Sequence, residues 1–240
     1  MNTPLALNIS NLTFSYPDTP TVLQQINLQL NAGGRVGLIG PNGAGKTTLF
    51  MTICGVLKPS AGQVELFGQP VVASKFHPEV GLVFQYPSDQ LFSPSVRDDI
   101  AFGPLNLGLS SDEVDMRVMQ VLSDTGLTKL ADRPPHHLSG GQKRMVAIAG
   151  VQAMHPKLII YDEPSANLDI RSRRRLINFM KDSQETVLVS SHDLELIIEV
   201  CGQVILLDGG TIITQGETKT IMSNSDLMVR HGLETPHSLR

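Results

Sequence analysis

The chain is poor in the features that define several protein classes. Its only two cysteines, Cys54 and Cys201, lie far apart and outside any metal-ligand spacing. Neither a disulfide framework nor a cysteine-built metal site is expected, and a reducing compartment fits. Basic residues are in deficit, with 19 Lys and Arg against 23 Asp and Glu and a net charge of −4. There is no general basic field for nucleic acid. No apolar run approaches the ~20 residues that cross a bilayer. The start, Met1-Asn2-Thr3-Pro4, lacks the basic head and apolar stretch of a signal peptide. Service to a membrane would come from outside it, through a partner. No repeat or low-complexity segment appears. What is left is a globular composition, 41% hydrophobic and 18% charged, able to bury a large core in one domain or two lobes.

Period-2 patterning predicts strands over Leu5–Tyr16 and Val22–Leu30, the first carrying Leu7, Ile9, Leu12 and Phe14 on one face. Short apolar runs predict buried strands at 36–39, 64–68, 80–84, 158–161 and 187–190, and Asp208-Gly209-Gly210 predicts a hairpin between 204–207 and 211–213. Helices are expected from Thr48 to about Leu57, over 143–149 and over 171–181, and after Ser110, which stands three residues before Glu113 at capping-box spacing. The expected fold is α/β: a P-loop core with an antiparallel β subdomain and an inserted helical subdomain. Residues 1–94 and 151–216 form the core with its β layer, 95–150 the helical insert, and 217–240 a polar tail.

The chemistry starts at Gly40-Pro41-Asn42-Gly43-Ala44-Gly45-Lys46-Thr47, which fits G-x-x-x-x-G-K-[ST] between a buried strand and a helix start at Thr48. Gly43 and Gly45 let the backbone curl so that N–H groups and the helix N-terminus face phosphate oxygens. Lys46 adds charge at the β/γ phosphates, and the Thr47 hydroxyl is placed for Mg²⁺. Asp162 and Glu163 close an apolar strand, where an α/β fold puts its ligand crevice. Asp162 can hold Mg²⁺ through water, and Glu163 can act as general base on the attacking water. His192 and Gln85 end strands likewise. The first can reach the γ-phosphate, the second can report on Mg²⁺ and the attacking water. Tyr16 could stack on adenine or serve only as a core or rim residue.

Leu138-Ser139-Gly140-Gly141-Gln142 lies at a probable helix start in the insert, remote from the phosphate loop. Ser139 with the N–H groups of Gly140 and Gly141 could make an anion site. An anion site without a local anion points to a second chain, packed head to tail so that each copy completes the other's site.

The aromatic Tyr16, GPNGAGKT, Gln85, LSGGQ, LIIYDE, SANLD and SSHD together resemble the ATP-binding-cassette ATPases over nearly the whole length. The resemblance implies ATP and Mg²⁺ as ligands, binding through Tyr16, residues 40–48, Gln85, Ser139 to Gln142 and His192, and catalysis by Lys46, Gln85, Glu163 and His192. It implies metal contacts from Thr47, Gln85 and Asp162. The partners implied are a second copy or a related ATPase and integral membrane transport subunits, at the cytoplasmic face of the membrane. A narrower resemblance lies in Gln85-Tyr86-Pro87-Ser88-Asp89-Gln90-Leu91-Phe92, in Gly103 to Gly108 and in the ending His231 to Leu239. It is to the energy-coupling-factor importers, most of all their cobalt and nickel branch. Gln85 to Phe92 is the expected lever, with Leu91 and Phe92 at the surface. A soluble cassette acting on nucleic acid or ribosomes and an exporter motor are the rival readings. The first usually carries coiled-coil insertions or a second cassette, neither of which is here.

Three positions depart from the family pattern: Tyr161 for Leu, Met145 for Arg, which bears on a helix contact and not on the chemistry, and Asn167 for Gly or Ala. His136-His137 reads as a solvated linker. Arg171, Arg173, Arg174 and Arg175 read as a solvated face or a contact to an acidic partner, without the interleaved aromatics of a nucleic-acid site. Met116 and Met119 read as core or interface filler.

Overall fold

The computed structural model describes residues 4–240; Met1 to Thr3 lie outside the described residues. Two sheets share the chain. The first is antiparallel, built from β1 (Leu5–Tyr16), β2 (Thr19–Asn31), β4 (Ala61–Leu66) and the two-residue β5 (Gln69–Pro70) in the order β2-β1-β4-β5. The second contains β3 (Arg35–Ile39), β6 (Val80–Val83), β7 (Leu158–Asp162), β8 (Thr186–Ser190), β9 (Gln203–Asp208) and β10 (Thr211–Glu217) in the order β10-β9-β3-β8-β7-β6. All pairs in it are parallel except the β9–β10 hairpin.

The central strands are buried along their whole length, as parallel strands covered on both faces must be. Their side chains alternate between two cores. Leu158, Ile160, Leu188, Ile205 and Leu207 join the β layer and Phe50 in one; Ile159, Tyr161, Val187, Val189 and Leu206 join the helices in the other. The strand carrying the phosphate loop, β3, therefore sits between two hydrophobic layers and cannot shift register without exposing both.

α1 (Lys46–Ile53) follows the phosphate loop and stops short of the expected Leu57, because Gly55 takes φ +73° and turns the chain out. The helical insert consists of α2 (Val96–Asn106), α3 (Ser111–Asp124) and α4 (Gly140–Gln152). Ser95 caps α2 and Ser110 caps α3. Glu113 lies 3.6 Å from Arg117, and the reciprocal capping box forms instead at α4, between Ser139 and Gln142. Met116 and Met119 are exposed on α3, so they are not core.

α5 (Ile170–Asp182) starts from an Asp169 cap. α6 (Leu194–Val200), which the sequence reading left out, starts from Asp193, whose side chain accepts from the Leu196 N–H. The stretch after Glu217 is not merely a polar tail. It forms α7 (Thr218–Met222) and α8 (Ser225–Arg230), and buries Met222 and Met228 in the helical core. His231 Nδ1 meets Asp208 Oδ2 at 2.7 Å, and the Ser238 N–H donates to Glu195. No helix among the described residues is long and apolar enough to cross a membrane.

Candidate functional site: a phosphate loop facing paired carboxylates

Four parallel strands deliver the site to one edge of the sheet. β3 runs into Gly40, whose added Cβ would lie 1.9 Å from the Leu207 carbonyl oxygen; only glycine lets the loop leave the strand there. Gly43 and Gly45 take φ +78° and +102°. Gly45 precedes α1 without any side-chain cap, so N–H groups of the first turn stay open toward the cleft. That is an anion site by construction. Lys46 folds back over the loop, donating to the Gly40 carbonyl at 2.7 Å and the Pro41 carbonyl at 3.1 Å. Burial pushes its ammonium below the usual lysine range, while Glu163 and Asp162 pull it back.

Asp162, at the end of β7, is buried. Thr47 Oγ1 donates to its Oδ2 and Ser190 Oγ to its Oδ1, both at 2.7 Å. The hydroxyl and the carboxylate are thus side by side, an oxygen pair suited to a hard divalent cation. Glu163 is only 7% exposed and sits at φ +46°, uncommon for a residue with a side chain. Its N–H is held by the carbonyl and the hydroxyl of Ser190, each at 3.1 Å. Its Oε2 accepts from the His192 N–H at 2.9 Å, and its Oε1 is buried with no hydrogen-bond partner. One carboxylate oxygen is anchored; the other makes no hydrogen bond and lies 3.5 Å from His192 Nε2. The His192 ring bridges to the loop, with Nε2 2.9 Å from Asn42 Oδ1.

Tyr16, Asn42, Gly43, Ala44, Gly45, Lys46, Thr47, Thr48, Gln85, Asp162, Glu163 and His192 line one cleft of about 400 Å³. Tyr16 stands at its mouth, edge-on to Phe14, with its hydroxyl 3.4 Å from Thr48 Oγ1. Gly40 and Pro41 do not line this cleft; they shape the loop from behind, through their carbonyls on Lys46. Thr19 and Val22 join the cleft without any sequence signal, because they come from β2. Ser190 was also missed; only its place in Ser190-Ser191-His192 could have flagged it.

Ser139, Gly140, Gly141 and Gln142 stand apart from the cleft of their own chain. Ser139 and Gly140 are exposed at the tip of α4. Ser139 Oγ accepts from the Gln142 N–H, and Gln142 Oε1 accepts from the Ser139 N–H, so the Gln142 side chain serves its own helix. Two of the four basic residues find acids within the chain: Arg173 makes a two-pronged pair with Asp193 at 2.5 and 2.8 Å, and Arg174 another with Glu199, while Arg171 and Arg175 are exposed. Asn167 takes φ +61°, a backbone that Asn tolerates nearly as Gly does.

A parallel sheet that carries a glycine-bounded phosphate loop opposite an acidic strand end defines a P-loop nucleoside-triphosphate hydrolase. Comparison with known proteins narrows the class. Residues 23–166 match the family model described as ABC transporter, and the chain belongs to that family, whose ATP-hydrolysing subunits power transport. It is 54% identical over 237 residues to a Synechocystis sp. protein named as an ABC transporter ATP-binding protein, covering 99% of this chain and 84% of that one. It is 44% identical over 240 residues to the energy-coupling factor transporter ATP-binding protein EcfA of Methanothermobacter thermautotrophicus, covering 97% and 77%. The solved structure of cbiO1 from Clostridium perfringens, part of the ABC transporter complex cbiONQ, superposes with a TM-score of 0.84 at 35% identity, over 95% of this chain and 94% of that one.

Lys46→Ala is expected to weaken ATP binding about ten- to a hundredfold, the worth of one charge-assisted contact of ~1.5–3 kcal/mol. Calorimetry with ATP reads this, and a thermal melt of the nucleotide-free protein separates it from misfolding. Unchanged ATP affinity would remove Lys46 from the phosphate site.

Proposed function

We propose that the chain is the ATP-hydrolysing motor of an energy-coupling-type importer of a transition-metal cation, cobalt or nickel, and that it works as a head-to-tail dimer on the cytoplasmic face of the membrane. The observation that carries the hydrolytic part is the buried Glu163 Oε1, without a hydrogen bond, on a residue that lines the phosphate cleft. With Oε2 held by the His192 N–H, the carboxylate is oriented and one oxygen is left to take a proton from water. The water attacks the terminal phosphorus of ATP, the bond to the ADP oxygen breaks, and the proton passes to Glu163. Lys46 and the open N–H groups of α1 offset the charge that builds on phosphate oxygens. His192, which spans from Glu163 to Asn42, holds the terminal phosphate in line. The residues fit Mg²⁺: Thr47 and Asp162 would hold it, with Gln85 at the cleft wall, and bound there it would neutralise phosphate charge.

The dimer reading rests on the exposed α4 tip. Ser139 and Gly140 offer an anion site with no phosphate loop of their own chain near it, so its ligand would be the nucleotide of a second copy, and two such contacts close a two-fold dimer. The import reading rests on Gln85 to Phe92. Gln90 ties this segment to the end of β6: its Oε1 accepts from the Phe84 N–H and its Nε2 donates to the Leu82 carbonyl. Beyond it opens a mostly apolar groove of about 480 Å³, lined in part by Phe76, Leu91, Phe92, Phe102, Val151 and Met154. Leu91 is only partly exposed, packing against the core from the groove wall, while Phe92 is 65% exposed and meets Phe102 edge-on. A segment that starts at the cleft wall and ends in an apolar groove supports a membrane subunit docking there. The metal assignment rests on the likeness of Gln85 to Phe92, Gly103 to Gly108 and the chain end to the cobalt and nickel branch. Metal selection belongs, in this reading, to the membrane partners. Among the described residues no cluster of three or more His, Cys, Asp and Glu side chains is placed to hold a transition-metal ion, and His136 and His137 meet edge-on.

Glu163→Gln keeps the shape of the site and loses the base. Turnover is expected to fall on the order of 10²–10⁴-fold, and sizing chromatography with Mg-ATP should show an accumulated dimer. Wild-type turnover would remove Glu163 from the catalytic role. Phe92→Ala with Phe102→Ala, co-expressed with the membrane subunits, is expected to lower assembly and cobalt or nickel uptake while the isolated chain keeps its ATPase activity. Unchanged uptake and assembly would take the groove out of the transport mechanism.

A further inference from the structure

Arg144 is among the largest fully buried side chains of the protein, 2% exposed, on the second turn of α4. Its two terminal nitrogens donate to two consecutive carbonyls, Phe84 and Gln85, both at 2.6 Å. Those carbonyls belong to the strand end that carries Gln85 into the nucleotide cleft. No carboxylate pairs with the guanidinium by hydrogen bond, and burial pushes its pKa down to about 10, with Asp162 as the one charge that opposes the shift. Its Nε is buried and has no partner. An unpaired buried cation is a costly way to join two elements that Met145, Val146 and Ile148 already pack apolarly. Stability alone does not account for it.

What the guanidinium joins is specific. On one side is the Gln85 backbone. On the other is a helix whose first residue follows Ser139, five positions before Arg144, so a displacement at Arg144 reaches the exposed anion site through a single rigid turn and a half. We propose that Arg144 is a positioning residue that couples the Gln85 strand end of one nucleotide cleft to the Ser139 tip that the same chain offers to its partner. The planar fork grips both carbonyls, so the strand end cannot move toward the nucleotide without carrying α4 with it. The spare Nε donor lets the grip follow such a shift without first breaking another bond. This inference rests on the shared-site dimer proposed above.

The test is a double-mutant cycle between Arg144→Met and Gln85→Ala on full-length protein, read by steady-state ATPase and by ATP titration. Arg144→Met is expected to leave the KM for ATP near wild type and to lower kcat up to about a hundredfold, the cost of a misplacement of about 1 Å. Adding Gln85→Ala should then cause little further loss. In the wild-type background Gln85→Ala alone should cost as much as Arg144→Met. If Arg144→Met fails to fold, Arg144→Lys, which keeps the charge and loses the fork, carries the same cycle and is expected to couple partially. Losses that simply multiply, or an unchanged kcat, overturn the proposal. Wild-type turnover in Glu163→Gln would count against the site itself; multiplied losses with Glu163→Gln inactive count against Arg144 alone.

Discussion

The parallel pairing of β3, β6, β7 and β8 is the constraint on which the rest depends. Because the strands run the same way, their ends meet at one edge. Val83 lies opposite Tyr161, Asp162 opposite Ser190, and Ser190 opposite Leu38. Asn42, Gln85, Asp162, Glu163 and His192 lie at those ends or within a few residues of them. Residues separated by more than a hundred positions thus face one cleft, held there by two hydrophobic layers that fix register. A one-residue slip of β7 would turn Asp162 away from Thr47 and bury the wrong face of every strand beside it.

Around that edge the chain leaves some groups deliberately unfinished. The α1 N–H groups have no cap, Glu163 Oε1 has no hydrogen bond, and the exposed α4 tip stands away from the cleft of its own chain. Unpaired buried polar groups cost free energy, roughly 1–3 kcal/mol each, and they persist where a ligand completes them. All three are completed by phosphates and water if a second copy adds its α4 tip over the loop. ATP would then act as the joint between two chains, and hydrolysis would remove the joint.

Much of this was legible in the sequence where motif and local structure coincide. The phosphate loop is a contiguous octet whose glycines need their backbone angles locally. The buried strands are short apolar runs that end on Gln85, Asp162 and Ser190. The ABC-type α/β fold was implied by the family resemblance that GPNGAGKT, LSGGQ, LIIYDE and SSHD carry, and the family match bears it out. What the residues did not disclose was set by contacts between distant segments. The tail beyond Glu217 folds because Met222 and Met228 find a core made by other helices, and its polar average concealed that. α6 is seven residues long and depends on its Asp193 cap and on burial, with too few turns for periodicity. Leu91 and Phe92 are neighbours of equal hydrophobicity, and only the course of the chain decides that one packs inward and the other outward. Arg144 carries no signal of its role, because nothing in sequence reveals two carbonyls about sixty positions away. Thr19 and Val22 reach the cleft only because β2 returns beside the loop.

The shared site is the central claim, and mixing two inactive chains tests it most directly. Ser139→Arg blocks the α4 tip and keeps the phosphate loop; Lys46→Ala disables the loop and keeps the tip. Each alone should be nearly inactive. Mixed in equal amounts, roughly half of the dimers pair one chain of each kind in a closed two-fold arrangement. Each such dimer has one cleft in which an intact loop meets an intact tip. ATPase activity measured against mixing ratio should rise from near zero to a maximum at equal amounts. Full activity of Ser139→Arg by itself, or a flat line across all ratios, would contradict a site built from two chains.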